Sequence, residues 1–393
     1  TVEVNSEVGE PFNSPTPIQI TYGYSRDQRP DLKQFMVDLI CSGEGELPLF
    51  LRTGSGNESD QKVFPKLFKQ FQKQANFNSL MVADSALYTA DNLKEMESLK
   101  WLTRVPFRLK PAQALAKQVK SSQMISSSLA GYRYSIHQRT YAGIEQRWLV
   151  VESQERKKSD EKRIQKKIEK ERREAEKQLR ELSRQRFACV PDAKKAIKKL
   201  EKTFKYHQLT QVTTSQESEK PSESCSVTIR ADLKENLVKI EEEKQQAGRF
   251  ILATNVLDET ELSPEQMLIE YKEQQSTERG FRFLKDPMFL VDSVFLKSRE
   301  RIQALALILG LCLLVYNLGQ RELRSALQRR GEMVKNQLGR KTNSPTLRWI
   351  FQQFQAVHLL IVKGKTEISN LTEERLNLLQ FFPKPCQQYY LLV

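Results

Sequence analysis

Apolar residues recur along the first hundred positions in short runs that alternate between strand and helix periods. Residues 32–52 hold two apolar runs around a polar turn, Ser42 to Gly45, which predicts a β-hairpin. Apolar side chains at helical spacing predict helices at 60–74 and 90–99, and short apolar runs predict strands at 80–83 and 101–105. The order strand, strand, helix, strand, helix, strand is typical of an α/β domain.

The pattern changes after Pro106. A basic stretch at 110–120 and a serine-rich patch at 121–128 precede strands that carry Tyr and Trp at 132–151. Residues 155–186 contain 14 Lys or Arg and 8 Asp or Glu beside a thin apolar seam, which predicts a long charged helix. Residues 210–226 are rich in Ser, Thr, Gln and Glu and predict a flexible loop. Residues 249–254 return to a buried strand.

These shifts predict a mixed sheet with flanking helices, compatible with a ribonuclease-H-like fold, that is interrupted by a large and mainly helical insertion with a long charged arm. The predicted parts are 1–105 and 249–330 for the two portions of the catalytic domain, 106–248 for the insertion and 331–393 for a C-terminal helical extension. A solvated arm or a coiled-coil-like hairpin fits the charged helix better than a helix dedicated to reading DNA.

A bounded helix is predicted after residue 263. Ser263 can cap it, Pro264 suits its first position, Gln266 completes a capping box and Pro287 closes its far end. Tyr271, Gln274, Glu278, Arg282 and Lys285 share one side of this helix. A carboxylate there can ligate a divalent metal, and the neighbouring groups can bind phosphate oxygens. An ordinary solvated helix face has the same spacing.

Composition narrows the possible chemistry. The formal net charge is +14, from 63 Lys and Arg against 49 Asp and Glu, which suits a polyanion such as DNA, although an anionic membrane fits the charge as well. The five cysteines are scattered without a Cys-x-x-Cys pair, which favours a reducing cytosol. The three histidines are far apart, so histidine catalysis and zinc hydrolysis have no support, and no phosphate-binding glycine loop predicts a nucleotide cofactor.

The longest apolar run covers 13 residues, 304–316, which is short of the roughly 20 needed to cross a bilayer. We therefore interpret it as a buried core helix and expect no membrane partner.

Tyr271, Glu278 and Lys285 follow one another at intervals of seven residues, with Gln274 between the first two. This arrangement resembles the Tyr-Arg-Glu-Lys signature of DDE insertion-sequence transposases, with Gln at the position of the Arg. Residues 23–34, 82–88, 146–151 and 345–351 also resemble that family, in order and across nearly the whole chain. The chain is most similar to the branch numbered sixteen thirty-four, within the group numbered four.

The resemblance implies a transposase that cleaves and joins double-stranded DNA, at transposon ends and target, with two Mg²⁺ or Mn²⁺ ions. It implies that Asp84 and Glu278 are catalytic metal ligands and that Tyr271 and Lys285 bind phosphates of the transposon end. Gln274 lacks the fork of an Arg, and Arg282 is a candidate substitute. A homodimer on paired ends and a bacterial, nucleoid-associated cytoplasmic location are also implied.

The first acid of the family has no counterpart here. Residues 1–4 resemble the end of the strand that carries it, and Glu3, Asp27 and Asp31 are poor substitutes. A truncated reading frame and an inactive fragment that only binds DNA therefore stay open. A structural protein that self-associates through the charged helix is a third possibility. Asp84 alone also fits the common role of an Asp that caps the turn after a strand.

Overall fold

The computed structural model describes residues 18–24, 29–43, 46–75, 79–217, 226–274, 283, 296 and 298–391. Two compact units share the chain. The first combines Thr1–Val63 with Lys272–Val393, and the second is Phe64–Tyr271.

The described strands, in chain order, are β1 (Phe35–Cys41), β2 (Pro48–Ser55), β3 (Met81–Ala83), β4 (Trp101–Arg104), β5 (Ile125–Ser126), β6 (Tyr132–Tyr141), β7 (Ile144–Ser153), β8 (His207–Glu217), β9 (Ser226–Glu235), β10 (Arg249–Thr254), β11 (Val334–Lys335), β12 (Lys341–Thr342), β13 (His358–Val362) and β14 (Lys365–Ser369). The described α-helices are α1 (Asp60–Ala75), α2 (Ala90–Glu95), α3 (Lys110–Gln118), α4 (Gln154–Arg184), α5 (Val190–Glu201), α6 (Leu237–Gln246), α7 (Pro264–Glu273), α8 (Arg299–Arg330), α9 (Leu347–Phe354), α10 (Glu373–Leu379) and α11 (Lys384–Leu391).

A six-stranded mixed sheet forms the centre of the second unit. Its order is β3-β4-β10-β7-β6-β5, in which β3 and β4 are parallel and the other neighbours are antiparallel. All six residues of β10 are buried, as are nine of the ten in β7, because elements cover both faces of these strands. On one face, Met267 and Leu268 of α7 pack with Leu149 and Leu252 in a common core.

The sheet confirms the α/β order, and three of its strands lie in the stretch that was predicted as an insertion. The strands and helices between residues 32 and 105 occur in the predicted order, although the second helix ends at Glu95 rather than 99. The hairpin β1–β2 pairs as a sheet of its own. β5, β6 and β7 lie within the predicted insertion, 106–248, for which strands at 132–151 were expected. β7 pairs with β10 along six positions, so the first part of that stretch belongs to the central sheet.

Residues 154–248 form a layer around the long helix α4, which matches the predicted charged helix at 155–186. Ile164 and Ile168 of its apolar seam are buried with Tyr206 and Ile240, and Leu182 is buried with Ile197 and Ile229. The flexible loop predicted at 210–226 is wrong over much of its length, because β8 extends to Glu217 and pairs with β9. Its β-branched Thr residues suit a strand. Residues 218–225 lie outside the described part.

Helix α8 of the first unit is buried along one stripe only. Ile302, Ala306, Gly310 and Leu313 are buried, whereas Ile308 and Val315 on other sides are 55% and 69% exposed. The prediction of a buried core helix at 304–316 is therefore wrong for most sides of the helix. An apolar run in the sequence does not show on how many sides other elements pack against the helix. Within the described residues α8 is also long and apolar enough to cross a membrane, with 22% of its most apolar window buried.

Part of the buried stripe of α8 packs closely against the β1–β2 hairpin. A side chain at Gly310 would approach Leu51 of β2, and Asn317 Nδ2 donates to the Glu46 carbonyl at 2.6 Å, so α8 lies against the hairpin. Further along, Leu323 and Leu327 join a core with residues of α9 and α10, which lie in the segment predicted as a helical extension, 331–393. That segment also holds the short hairpins β11–β12 and β13–β14.

Gly248 offers a test of the junction between the sheet and the α4 layer. Its φ is +76°, and a Cβ there would lie 2.6 Å from the Ser153 carbonyl oxygen and 2.7 Å from the Lys157 backbone nitrogen. Backbone cannot move aside cheaply, so we expect Gly248→Ala to lower the free energy of unfolding by about 2–4 kcal/mol. Urea unfolding followed by tryptophan fluorescence measures it, since Trp101 and Trp148 are buried in this unit.

Gly143→Ala is the matched control. Gly143 also has a positive φ, +81°, but nothing lies within 4 Å of a Cβ built there. It should therefore show only the left-handed backbone penalty of about 1 kcal/mol. Equal effects of the two substitutions would contradict the close approach at Gly248.

Candidate active site

Asp84 follows β3 directly, at the carboxyl end of the strand. Its backbone carbonyl accepts a hydrogen bond from the Thr103 hydroxyl at 2.6 Å, which ties this position to the end of the parallel neighbour β4. Its Oδ1 accepts from the Ala86 backbone N–H at 2.9 Å. The turn-capping role therefore exists and occupies one carboxylate oxygen. Among the described residues Oδ2 has no hydrogen-bond partner, so it is free to bind a ligand.

Helix α7 begins with the predicted capping box. The Ser263 N–H donates to Gln266 Oε1 at 2.9 Å, and the Gln266 N–H donates to the Ser263 hydroxyl at 3.2 Å. Pro264 is the first helical residue, as predicted. The described part of the helix ends at Glu273.

Two further contacts fix the start of α7. The Glu265 carboxylate accepts from the Ser127 hydroxyl at 2.7 Å, and from the Ser128 hydroxyl at 2.6 Å and backbone N–H at 3.0 Å. Desolvation by itself would raise the pKa of Glu265. The hydrogen bonds stabilise the charged carboxylate more strongly, so the net effect is a lowered pKa. The helix is thereby tied to the segment that leads into β6.

Arg147 of β7 holds the loop between β10 and α7. Its buried guanidinium donates to the backbone carbonyls of Val256 at 2.7 Å and Leu262 at 2.5 Å. The Nη1 group lies 3.8 Å from a carboxylate oxygen of Glu259. Sequence reasoning used residues 146–151 only as a resemblance and missed this role, because the partners are backbone carbonyls more than a hundred residues away.

Tyr271 of α7 and Asp84 are brought to the same edge of the sheet. The Tyr271 ring lies 6.2 Å from the ring of Phe250, centroid to centroid. Burial is the largest cause that raises the pKa of Tyr271, the Arg104 guanidinium lowers it, and the Asp84 carboxylate raises it. The net shift is upward, so Tyr271 is a neutral hydroxyl at neutral pH.

Two arginines that sequence reasoning missed complete this group. Arg104, the last residue of β4, has its Cζ 5.7 Å from the Phe250 ring centroid, the same ring that Tyr271 packs against, and its charge lowers the pKa of Tyr271. Arg156, in the first turn of α4, has its Cζ 5.9 Å from the same centroid. Arg104 could have been found, because parallel strands end at the same edge and β4 follows β3. Nothing in the local pattern points to Arg156.

The remaining predicted residues are not all placed. Glu278, Arg282 and Lys285 lie outside the described residues, and so does the predicted end of the helix at Pro287. Gln274 is described as a turn residue directly after α7. Asp31 is exposed and paired with Arg29 at 2.8 Å, while Glu3 and Asp27 lie outside the described part.

Within the described residues no group of three or more His, Cys, Asp or Glu side chains is placed to hold a metal ion. Asp84 supplies one carboxylate at this edge, beside two guanidinium groups that repel a cation. A single monodentate carboxylate does not complete a divalent site, since such cations take several oxygen ligands. The described residues by themselves therefore do not complete a divalent-metal site.

Comparison with known proteins identifies the family. The family model for the transposase DDE domain matches residues 12–318, which is well over half of the chain. The chain belongs to the DDE transposase family. The matched region contains all six residues predicted for the site. Searches of the curated proteins and of the solved structures return no match.

The proximity of Asp84 and Tyr271 in this transposase can be measured. Removing the carboxylate charge removes one cause of the raised pKa, so we expect Asp84→Asn to lower the pKa of Tyr271. Ultraviolet titration of tyrosinate, with the Tyr271→Phe spectrum subtracted in each background, isolates this residue among eleven tyrosines. Asp91→Asn, an exposed acid in α2, is the control. An unchanged pKa in Asp84→Asn would contradict the site.

The hydrogen bonds from Arg147 to the loop between β10 and α7 give a second prediction. Arg147→Met keeps the buried aliphatic bulk but leaves the Val256 and Leu262 carbonyls without their donor, so it should reduce stability by about 2–4 kcal/mol. Urea unfolding measures the loss, and hydrogen exchange should show faster opening at 256–262. Arg139→Met, at an exposed position of β6, is the control. Normal exchange in that loop would show that Arg147 does not hold it.

Proposed function

We propose that this chain is a DNA transposase that hydrolyses a phosphodiester at the end of an insertion sequence and joins the freed 3′ end to target DNA. The observation that carries the proposal is that Asp84 and Arg104 lie at the ends of two parallel strands, with Arg104 and Tyr271 against the same Phe250 ring, in a chain of the DDE family. Membership of the branch numbered sixteen thirty-four stays part of the proposal.

Each described residue has a chemical task in this proposal. The neutral Tyr271 hydroxyl donates a hydrogen bond to a phosphate oxygen, and burial beside Phe250 keeps it protonated. Arg104, which lies against the same Phe250 ring as Tyr271, adds positive charge where the pentacoordinate phosphate gains negative charge. The Asp84 carboxylate lies at the same edge and is held by its Ala86 and Thr103 contacts.

We propose that Asp84 and Glu278 coordinate the divalent cations, Mg²⁺ or Mn²⁺. Bound there, the ions would activate the attacking water or 3′-hydroxyl and stabilise the leaving oxygen. Lys285 and Arg282 are proposed to bind phosphates of the transposon end, with Gln274 as a weaker hydrogen-bonding partner. We further propose a homodimer on paired ends, in the bacterial cytoplasm with the nucleoid.

Substitution of the two acids tests the activity. Asp84→Asn and Glu278→Gln should each reduce cleavage and strand transfer by at least about a thousandfold, because the carboxylates would bind metal. The substrate is a duplex that carries the DNA flanking this coding sequence, assayed with Mg²⁺, with Mn²⁺ and with EDTA. DNA binding should change little in either variant. Asp232→Asn, on an exposed position of β9, is the control.

The same assay separates the alternatives. Full activity in Glu278→Gln would rule out the role of that residue. DNA binding that falls steeply with salt but is never followed by cleavage in the unsubstituted chain would instead indicate a protein that only binds DNA.

A further inference from the structure

Two guanidinium groups converge on one buried ring beside the candidate active site. The Cζ atoms of Arg104 and Arg156 lie 5.7 and 5.9 Å from the centroid of Phe250, which is only 6% exposed. Guanidinium groups stack on aromatic faces and keep their edge N–H donors available. Burial and the charge of Arg104 both lower the pKa of Arg156, so the two guanidinium groups repel each other unless an anion lies beside them.

The backbone fixes the position of Arg156. β7 pairs with β10 so that Val151 lies opposite Phe250 and Glu152 opposite Arg249. The next residue, Ser153, caps α4, and its hydroxyl accepts from the Arg156 N–H at 3.4 Å. The first turn of the inserted helix therefore begins beside Phe250, at the level of Tyr271 and Arg104.

The acids nearby do not balance these arginines. Asp160 lies 3.8 Å from Arg156 Nε, but it also pairs with Arg163 at 3.0 Å and accepts the Gly248 N–H at 3.0 Å. Among the described residues no carboxylate lies within ion-pair distance of Arg104. The Arg156 side chain is 43% exposed, so its donors remain accessible to a large ligand.

We propose that Arg156 binds a backbone phosphate of the DNA at the catalytic edge, so that the inserted helix α4 supplies a substrate contact from its first turn. This inference rests on the proposed function and deepens it. The ligand class is a phosphodiester, because two converging guanidinium groups and a neutral tyrosine hydroxyl can each donate a hydrogen bond to an anion. The rest of α4 extends away from this point as a charged arm.

Salt-dependent DNA binding tests the proposal. Fluorescence anisotropy with a short labelled duplex of mixed sequence, at several salt concentrations, gives the affinity and the slope of log K against log salt. We expect Arg156→Ala to weaken binding roughly tenfold and to reduce the slope by about one ion. Arg156→Lys keeps the charge without the planar fork, so it should retain most of the slope and recover part of the affinity.

Arg172→Ala is the matched control. Arg172 is on the same helix, about 24 Å further along its axis at 1.5 Å per residue, is 64% exposed and pairs with Glu176. It should leave both quantities nearly unchanged. Circular dichroism and thermal melting establish that each variant is folded.

The outcomes separate this inference from the proposed function. If the unsubstituted chain binds DNA and Arg156→Ala binds equally well with the same slope, the role of Arg156 is overturned while the transposase proposal stands. Equal losses in Arg156→Ala and Arg172→Ala would also overturn it, since the effect would then come from overall charge. If the unsubstituted chain does not bind DNA at all, both proposals fail.

Discussion

The parallel pairing of β3 with β4 is the constraint on which the candidate site depends. Ala83 lies opposite Thr103, so the two strands end together and the residues that follow, Asp84 and Arg104, share one edge. The Thr103 hydroxyl bond to the Asp84 carbonyl closes that edge. Antiparallel pairing of β10 with β4 then brings Phe250 beside Arg104, and α7 returns across the sheet to place Tyr271 against the same ring. A carboxylate, a hydroxyl and two guanidinium groups meet because of strand order.

The local sequence pattern was sufficient to predict the single elements of this site. It was insufficient to predict which of their residues come together. Strand β10 and the Ser263–Gln266 capping box follow from neighbouring residues alone, and Asp84 was found because it ends an apolar run. Arg147 and Arg156 were not found, since their roles depend on which strand lies beside β7. The loop predicted at 210–226 was wrong because Ser, Thr, Gln and Glu indicate both solvation and an exposed hairpin, and only the pairing of β8 with β9 decides.

The net charge of +14 is less available to DNA than its size suggests. Along the outer part of α4, lysines and arginines pair with acids one turn away, as Lys170 does with Glu174 and Arg172 with Glu176. Such pairs add little stability but neutralise the helix surface. At the N-terminal end of α4 the charges are less balanced, because one acid, Asp160, is shared between Arg156 and Arg163. The positive charge that DNA would meet therefore includes the N-terminal end of α4 beside Tyr271 as well as the excess of six basic over acidic residues along 155–186.

The Ser153 N–H donates to the Gly248 carbonyl at 3.0 Å, so the chain leaves the sheet and rejoins it at a single hydrogen bond. We call the segment between these two residues, 154–247, the excursion. Its two ends lie next to each other, as the ends of a domain inserted into a tight turn do. The spacing of Asp84, Arg104 and Tyr271 is set by β3, β4, β10 and α7, all outside this excursion. A change of length far from the Ser153–Gly248 bond would leave that spacing intact, which makes the excursion a natural place for a transposase lineage to diversify.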